Sequence, residues 1–469
     1  MTFSPCRSDF FVYNEELCQF LLAQQNGRNR HCSRITSISL PIDRVDPLVV
    51  LEHLAQPNQL SFYWENKSKK EAIAAIDAVA KLEIAGKNRF IKAEEFIQDC
   101  LHKINYFHTP KQPFSKPLFF CSFSFFDHNE KNYPFSAASI FLPRWQVAVK
   151  DEYCILVANI IINERVNIQK ILTALWTKIE IIKSLGYNSS HLNYPSQKYI
   201  KKQVANPEKF KSSVSSALEK INSNYLKKIV LADVLDISAS HRFNLFQSLH
   251  NLREIHPNCY TFSISNGKGQ NFIGASPERL ITIHNQHLIA DALAGSAPRG
   301  KTPTEDAINA DRLLNSEKER HEHSLVLNFI SQNLCELGLL PQVLAPRLRQ
   351  LSNIQHLWTP INAVVPANVH PLKIVAQLHP TPAVAGASRD FACNEIRHYE
   401  NFERGLYAAP LGWVDSDGNC EFIVGIRSAL IDGDRARLYA GAGIVAGSDP
   451  DKELAEIQLK LQALLKALV

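Results

Sequence analysis

The carboxylates of this chain include two pairs with the same spacing. Glu319 and Glu322 stand three apart in Asn315-Ser-Glu-Lys-Glu-Arg-His-Glu-His323, and Glu453 and Glu456 stand three apart in Ser448-Asp-Pro-Asp-Lys-Glu-Leu-Ala-Glu456. That spacing puts both members of a pair on one helix face. Hard oxygen donors of this kind suit magnesium (Mg2+), whereas zinc takes His or Cys. His321 and His323 are two apart and cannot chelate together, and Leu325 removes a His-Glu-x-x-His motif, so zinc is disfavoured. Each pair alone also reads as a charged helix face, with Glu456 and Lys460 forming a surface salt bridge worth roughly a few tenths of a kcal/mol. Two pairs on separate helices can surround one cation, and without one they repel each other.

Two further residues suit acid–base chemistry. Lys228 opens Lys228-Ile-Val-Leu-Ala-Asp-Val-Leu-Asp-Ile237, a strand apolar on both faces near its start. Burial there disfavours an ammonium ion, as a base working near neutral pH requires; a lysine snorkelling to water is the alternative. Glu278 follows a Ser-Pro turn in Gly274-Ala-Ser-Pro-Glu-Arg-Leu280, so backbone geometry aims it as a general acid; an exposed turn glutamate is the alternative. In Tyr439-Ala-Gly-Ala-Gly-Ile-Val445, the segment Gly441, Ala442, Gly443 ends a strand with residues that let N–H groups approach a ligand, as an anion-binding nest does. Arg427, in Val424-Gly-Ile-Arg-Ser428, projects from a neighbouring strand and is placed to grip a carboxylate with two N–H groups.

The elements that must position these residues follow from periodicity. Ser316 and Glu319 have capping-box spacing at the start of a long helix, and Asp449-Pro450 is a strong start for another. On the latter, Glu453, Glu456 and Lys460 share one face while Leu454, Ile457, Leu461, Leu464 and Leu468 form the buried stripe. A helix over 207–222 leads into the strand Ile229–Ile237. Further strands are expected at Tyr260–Ser265, Leu280–Ile283, Gly405–Val414, Glu421–Leu430 and Ala436–Ala440. Earlier in the chain, Glu71–Ala85, Phe90–Ile104 and Ile168–Leu185 read as helices, and Ile140–Pro143 and Tyr153–Asn163 as strands. The Asn-, Ser- and Pro-rich stretch Asn188–Ser196 is the best boundary between a part spanning 1–195, which carries no chemical motif, and a motif-dense part spanning 196–469. Helices mixed with many strand runs imply an α+β fold rather than alternating βαβ units.

Composition narrows the function classes. A chain of 469 residues is long enough for two or three domains or one large two-layer unit. The 51 basic and 46 acidic residues give a net charge of +5 spread along the chain, not the concentrated stripe that nucleic acid requires. Lys209, Lys211 and Lys220 read as a solvated helix face. The N-terminus breaks a secretory signal with Pro5, Arg7 and Asp9, and the longest apolar run, Cys154–Ile162, is too short to span a membrane. Ten cysteines without a Cys-x-x-Cys pair suit single thiols in a reducing compartment, which points to the cytoplasm.

Taken together, the motifs resemble those of the chorismate-utilising enzymes, the isochorismate, anthranilate, aminodeoxychorismate and salicylate synthases. The resemblance rests on Lys228-Ile-Val-Leu-Ala, Gly274-Ala-Ser-Pro-Glu, Leu293-Ala-Gly-Ser-Ala, Ser316-Glu-Lys-Glu-Arg-His-Glu-His, His379-Pro-Thr-Pro-Ala and Ala440-Gly-Ala-Gly-Ile-Val, in the family's order across about 200–469. It implies a large sandwich of two sheets with helices outside, binding chorismate and magnesium. Residues 1–195 would then be a divergent part of the same sandwich. The resemblance makes Lys228 the base that activates water for C2 of the ring and Glu278 the acid that protonates the departing C4 hydroxyl. Glu319, Glu322, Glu453 and Glu456 match the metal positions. Arg427, Gly441 to Gly443 and Tyr407 would meet the side-chain carboxylate, Lys460 the ring carboxylate, and Gly295 and His356 would line the site.

Within the family, Lys228 stands where amine-forming relatives carry glutamine, and Ala294 stands where aminodeoxychorismate synthases carry a nucleophilic lysine. No glutamine amidotransferase segment or partner is implied. The His379 loop resembles the isochorismate form, so isochorismate synthase is the expected activity. A salicylate synthase, another chorismate-converting enzyme or a catalytically silent chorismate-binding protein is the alternative. Two departures stand out: Asp233 replaces a common arginine, and Ala408-Ala-Pro410 replaces a more glycine-rich stretch.

Overall fold

Runs such as Tyr153–Ile162 and Pro410–Val414 are apolar at nearly every position, so both faces of these strands must be covered. The computed structural model describes residues 7–26, 34–107, 111–186, 199–203 and 207–468. Among these, twenty-one strands form one hydrogen-bonded network. Every pairing is antiparallel except that of Arg34–Pro41 with Ile104–Phe107.

The network forks at the long pair Glu71–Ile84 and Ala138–Lys150. One arm runs from Glu71–Ile84 through Leu60–Asn66, Tyr260–Asn266, Gln270–Ser276, Ser428–Asp432 and Arg435–Ile444 to Lys228–Ala239. The other runs from Ala138–Lys150 through Phe119–Phe123, Pro410–Val414, Cys420–Val424, Arg279–His284 and His287–Pro298 to Ile354–Val364. These arms are the layers of an α+β sandwich, with eleven α-helices among the described residues. N-terminal strands thus pair with C-terminal ones in both arms. The boundary expected at Asn188–Ser196 lies outside the described residues.

Two short segments carry the chain directly from a strand of one arm to a strand of the other. Ser276–Arg279 joins Gln270–Ser276 to Arg279–His284, and Val424–Ser428 joins Cys420–Val424 to Ser428–Asp432. They are bonded together: the Ser276 hydroxyl donates to the Val424 carbonyl at 2.6 Å, Val424 N–H donates to the Glu278 carbonyl at 3.1 Å, and Ala275 N–H donates to the Arg427 carbonyl at 3.1 Å. Outside the arms, helix Glu317–Glu336 packs on His287–Pro298 and helix Pro450–Leu468 packs on Arg435–Ile444. The latter buries Ile457, Leu461, Leu464 and Leu468, and Asp449 caps its start by accepting from Asp451 N–H and Lys452 N–H.

Three expected elements are corrected. Glu71–Ala85 is a strand, not a helix: alanine-rich propensity yields to two cross-strand partners, and Lys81 and Glu83 alternate with the better buried Leu82 and Ile84. The strand expected at Gly405–Val414 begins only at Pro410, because Gly405 (φ +49°) and Ala408 (φ +59°) turn the chain left-handed. The strand expected at Glu421–Leu430 breaks after Val424 and resumes at Ser428, with Arg427 at φ +50°. The eight cysteines among the described residues are free thiols, and no helix among those residues is long and apolar enough to cross a membrane.

Candidate active site

Where the arms separate, a cleft with about 850 Å³ of empty space takes residues from both arms and from both glutamate-bearing helices. Glu278 reaches it from the first crossing segment. Its backbone is clamped, since its N–H donates to the Ser276 hydroxyl at 3.2 Å and its carbonyl accepts from Val424. Burial pushes its carboxyl up to about 8; nearby Lys228 opposes this and Asp291 adds to it. A carboxyl raised this far holds its proton near neutral pH.

Lys228 is fully buried at the start of its strand, behind the lining of the cleft. Its Nζ lies 2.8 Å from Glu322 Oε1, within ion-pair distance but without hydrogen-bond alignment, so the buried Nζ lacks an aligned acceptor. Gly443 makes room for this pair. A Cβ there would lie 2.4 Å from Glu322 Oε1 and 3.2 Å from Lys228 Cε.

Both glutamate pairs line the cleft. The Ser316 hydroxyl caps helix Glu317–Glu336 by accepting from Glu319 N–H, and a bulge at Gly295 (φ +80°) turns Ser296 N–H to donate to Glu319 Oε2 at 2.9 Å. Lysines neutralise these carboxylates. Lys318 Nζ lies 3.1 Å from Glu453 and 3.7 Å from Glu319, and Lys460 Nζ lies 2.6 Å from Glu456 while donating to the Gly441 carbonyl at 2.8 Å. Burial first and Glu322 second push Glu319 up to about 7; burial likewise raises Glu453. Among the described residues, no three His, Cys, Asp or Glu side chains converge at metal-holding spacing. In donor chemistry, four crowded carboxylates fit a hard divalent cation. In this arrangement each carboxylate is committed to a lysine instead.

The cleft also holds a buried cation. The Arg427 guanidinium is buried, with Nη2 3.4 Å from His356 Nε2 and Nη1 without a partner. Burial and the adjacent Arg427 keep His356 neutral, its pKa well below the ordinary value. Because an arginine only donates, Nε2 of His356 accepts, which leaves Nδ1 to donate to the Ser296 hydroxyl at 2.9 Å. A buried cation with an unused donor is suited to a carboxylate.

Three sequence expectations change here. Arg427 projects from a strand break rather than from a strand, so backbone bonds in the crossing segment aim it. Gly441 and Gly443 lie inside strand Arg435–Ile444 rather than past its end, paired with Ala232 and Val230 on one side; both line the cleft and leave room for neighbouring side chains. A Cβ on Gly441 would lie 2.7 Å from the Tyr407 hydroxyl. Ala442, between them, points to the other face by strand alternation, is buried there, and does not line the cleft.

Gly295, His356, Tyr407, Arg427 and Lys460 all line the cleft, as does Ala294 with only a methyl group. His379 stays behind it, its Nε2 2.9 Å from the Phe125 carbonyl, and the same loop contributes Ala383 and Val384 to the lining. Asp233 lies outside the cleft; its carboxylate accepts from Val234 N–H, and burial pushes it up to about 6. Lys318 and Ser296 are among the lining residues that escaped sequence reasoning. Lys318 sits inside the Ser316-to-His323 motif between two glutamates, which was a usable signal. Ser296 is brought in only by the Gly295 bulge, which spacing does not disclose.

The sequence family described as chorismate binding enzyme matches residues 20–469. The isochorismate synthase MenF of Bacillus subtilis is 30% identical over 447 residues, covering 92% of this chain and 93% of that protein. The salicylate biosynthesis isochorismate synthase of Pseudomonas aeruginosa is 40% identical over 262 residues, but that match spans only 54% of its length and 55% of this chain. Among solved structures, the menaquinone-specific isochorismate synthase MenF from Escherichia coli superposes with a TM-score of 0.78 at 25% identity, covering 98% of this chain and all of that one. With a family match over nearly the whole chain and a relative similar end to end, this chain belongs to the chorismate-binding enzymes.

Proposed function

We propose that the chain is an isochorismate synthase, isomerising chorismate to isochorismate with magnesium. The observation that carries this reading is Glu278, its carboxyl pushed up to about 8 by burial, in a cleft that also holds a guanidinium with one unpartnered nitrogen and two glutamate pairs. In the proposed reaction Lys228, as the neutral amine, takes a proton from a water that adds at C2, and both conjugated ring double bonds shift as the C4–O bond breaks. Glu278 gives its proton to the C4 hydroxyl, which leaves as water, so the product is an isomer of the substrate. Arg427 supplies the cation for the side-chain carboxylate, with Tyr407 beside it. Glu319, Glu322, Glu453 and Glu456 would hold magnesium, which when bound neutralises them and grips the ring carboxylate.

Water rather than ammonia is the expected nucleophile. Lys228 provides a base that ammonia does not need, and Ala294 offers no nucleophile for a covalent route. Incubation with chorismate, magnesium and ammonium salt, followed by separation of products, tests this. Isochorismate alone is expected; an amine product would overturn the choice of nucleophile, and salicylate with pyruvate would overturn the choice of reaction.

A further inference from the structure

Behind the cleft lies a cation that the proposed chemistry does not use. The Arg404 guanidinium is 1% exposed. Its Nε and Nη2 donate to the two carboxylate oxygens of Glu400 at 2.7 and 2.5 Å. Nη1 donates to the Val384 carbonyl and Nη2 to the Val230 carbonyl, both at 2.8 Å. Glu400 also accepts from Ala232 N–H at 2.8 Å. The guanidinium stands over the Phe125 ring at 4.4 Å and the Tyr407 ring at 5.7 Å.

The groups it joins share one property: Val230, Val384 and Tyr407 all line the cleft, yet they come from a strand, a loop and a turn that are distant in sequence. The Arg404 carbonyl itself accepts from Tyr407 N–H at 2.8 Å, which fixes the turn. Tyr407 stacks on Tyr439 at 5.1 Å, and its hydroxyl lies where a Cβ on Gly441 would collide. Phe125, from the N-terminal part of the chain, joins the same assembly, since its N–H donates to the Gly405 carbonyl at 2.6 Å.

Stability alone is a poor account of this arrangement. Burying an ion pair costs desolvation that its attraction roughly offsets, and an apolar pair of similar volume usually serves the fold as well. A planar fork that reaches a carboxylate and two carbonyls at once does what neither an apolar side chain nor a lysine can do. We infer that Arg404 is a positioning residue, fastening the Val230, Val384 and Tyr407 walls of the cleft at the spacing the substrate requires. This inference rests on the reading of the cleft as the chorismate site.

The test uses Arg404→Lys and the paired variant Arg404→Met with Glu400→Gln, which removes both buried charges and so spares the fold an unpaired one. Amide hydrogen exchange is followed without ligand, chorismate binding by calorimetry, and kcat and KM with magnesium. In the paired variant exchange should speed up in the segments around 230–232, 384 and 405–408 while the thermal midpoint stays near that of the wild type. Its kcat/KM should fall by about 10²-fold, mostly through KM, as wall displacements near 1 Å produce. Arg404→Lys, which keeps the charge without the fork, should not rescue this loss. Unchanged exchange in those segments, or a paired variant with wild-type binding and KM, would overturn the inference. Wild-type protein that neither binds nor converts chorismate would instead refute the functional reading, because the exchange experiment reports on the fastening without substrate.

Discussion

Gly443→Ala separates the site from the fold. Gly443 lies in the strand Arg435–Ile444 opposite Val230 and does not adopt the left-handed conformation, so alanine fits the backbone. The obstacle is the Glu322 carboxylate: the new methyl would lie 2.4 Å from Oε1, whereas ordinary contact begins near 3.4 Å. The carboxylate must therefore retreat by about 1 Å, the scale of misplacement that costs roughly 10²-fold in rate. Glu322 is also the partner of Lys228, at 2.8 Å, so the same shift disturbs the proposed base and one proposed metal ligand together. Because the clashing atom ends a side chain, the fold can absorb it, and the thermal midpoint should move by no more than about 2 °C. Gly412→Ala is the contrasting control. There a Cβ would lie 2.0 Å from the Glu421 carbonyl, backbone of the neighbouring strand, and the sheet itself must give way. Kinetics and thermal melts of the two variants decide the matter. Gly443→Ala with wild-type turnover, or with a loss of stability as large as that of Gly412→Ala, would refute the placement of Glu322 and Lys228 in the machinery.

The remaining expectations concern charge. Since Glu278 must be protonated to act as an acid and titrates near 8, kcat should fall as pH rises through that value, and Glu278→Gln should abolish this limb with about 10²–10⁴-fold lower activity. The native state holds this proton above the ordinary carboxylate range, so between about 4.5 and 8 it binds more protons than the unfolded chain, and stability falls as pH rises across that window. Melts at pH 9 should accordingly show Glu278→Gln gaining on the wild type; a pH-independent difference would place the raised titration elsewhere. Chelation should abolish chorismate conversion and added magnesium restore it, and Glu322→Ala or Glu456→Ala should weaken magnesium binding measured by calorimetry while melting normally; full metal affinity in both would dismiss the proposed metal site. Arg427→Lys, which loses the fork that leaves Nη1 free, should raise KM by roughly 10–100-fold with a smaller change in kcat, and an unchanged KM would remove Arg427 from carboxylate binding.

The sequence disclosed most about residues held by helices. Capping at Ser316 and Asp449 and three-residue spacing place both glutamate pairs on the faces that meet the cleft, because helix geometry is local. It disclosed less about strands, whose partners lie far away in the chain. Glu71–Ile84 has the alanine content of a helix, and only its pairing with Leu60–Asn66 and Ala138–Lys150 decides otherwise. The glycines at 441 and 443 suggested a nest because sequence does not reveal what stands opposite a strand. What stands there is the Tyr407 hydroxyl and the Glu322–Lys228 pair, and each glycine is small for that neighbour. Lys318 was overlooked because its partner Glu453 lies on another helix.

Glu278, Arg427 and Tyr407 lie where regular structure stops, and the topology explains why. A strand inside either arm has its N–H and C=O groups committed to the ladder and its side chains committed to alternation, which leaves little freedom to aim a single group. The two crossing segments are free of that constraint, yet they are held by bonds to each other rather than left as loose loops. Glu278 and Arg427 are thus set by backbone hydrogen bonds in a cleft where both layers and both glutamate-bearing helices are within reach. Ser-Pro-Glu and Gly-Ile-Arg interrupt the apolar strand pattern for this reason: proline and the left-handed Arg427 end the ladders where the chain must change layers. The Gly295 bulge does the same within a strand, turning Ser296 N–H out of register and onto Glu319. Interruptions of periodicity in this chain are therefore the better guide to its chemistry, and the regular runs are the better guide to what holds that chemistry in place.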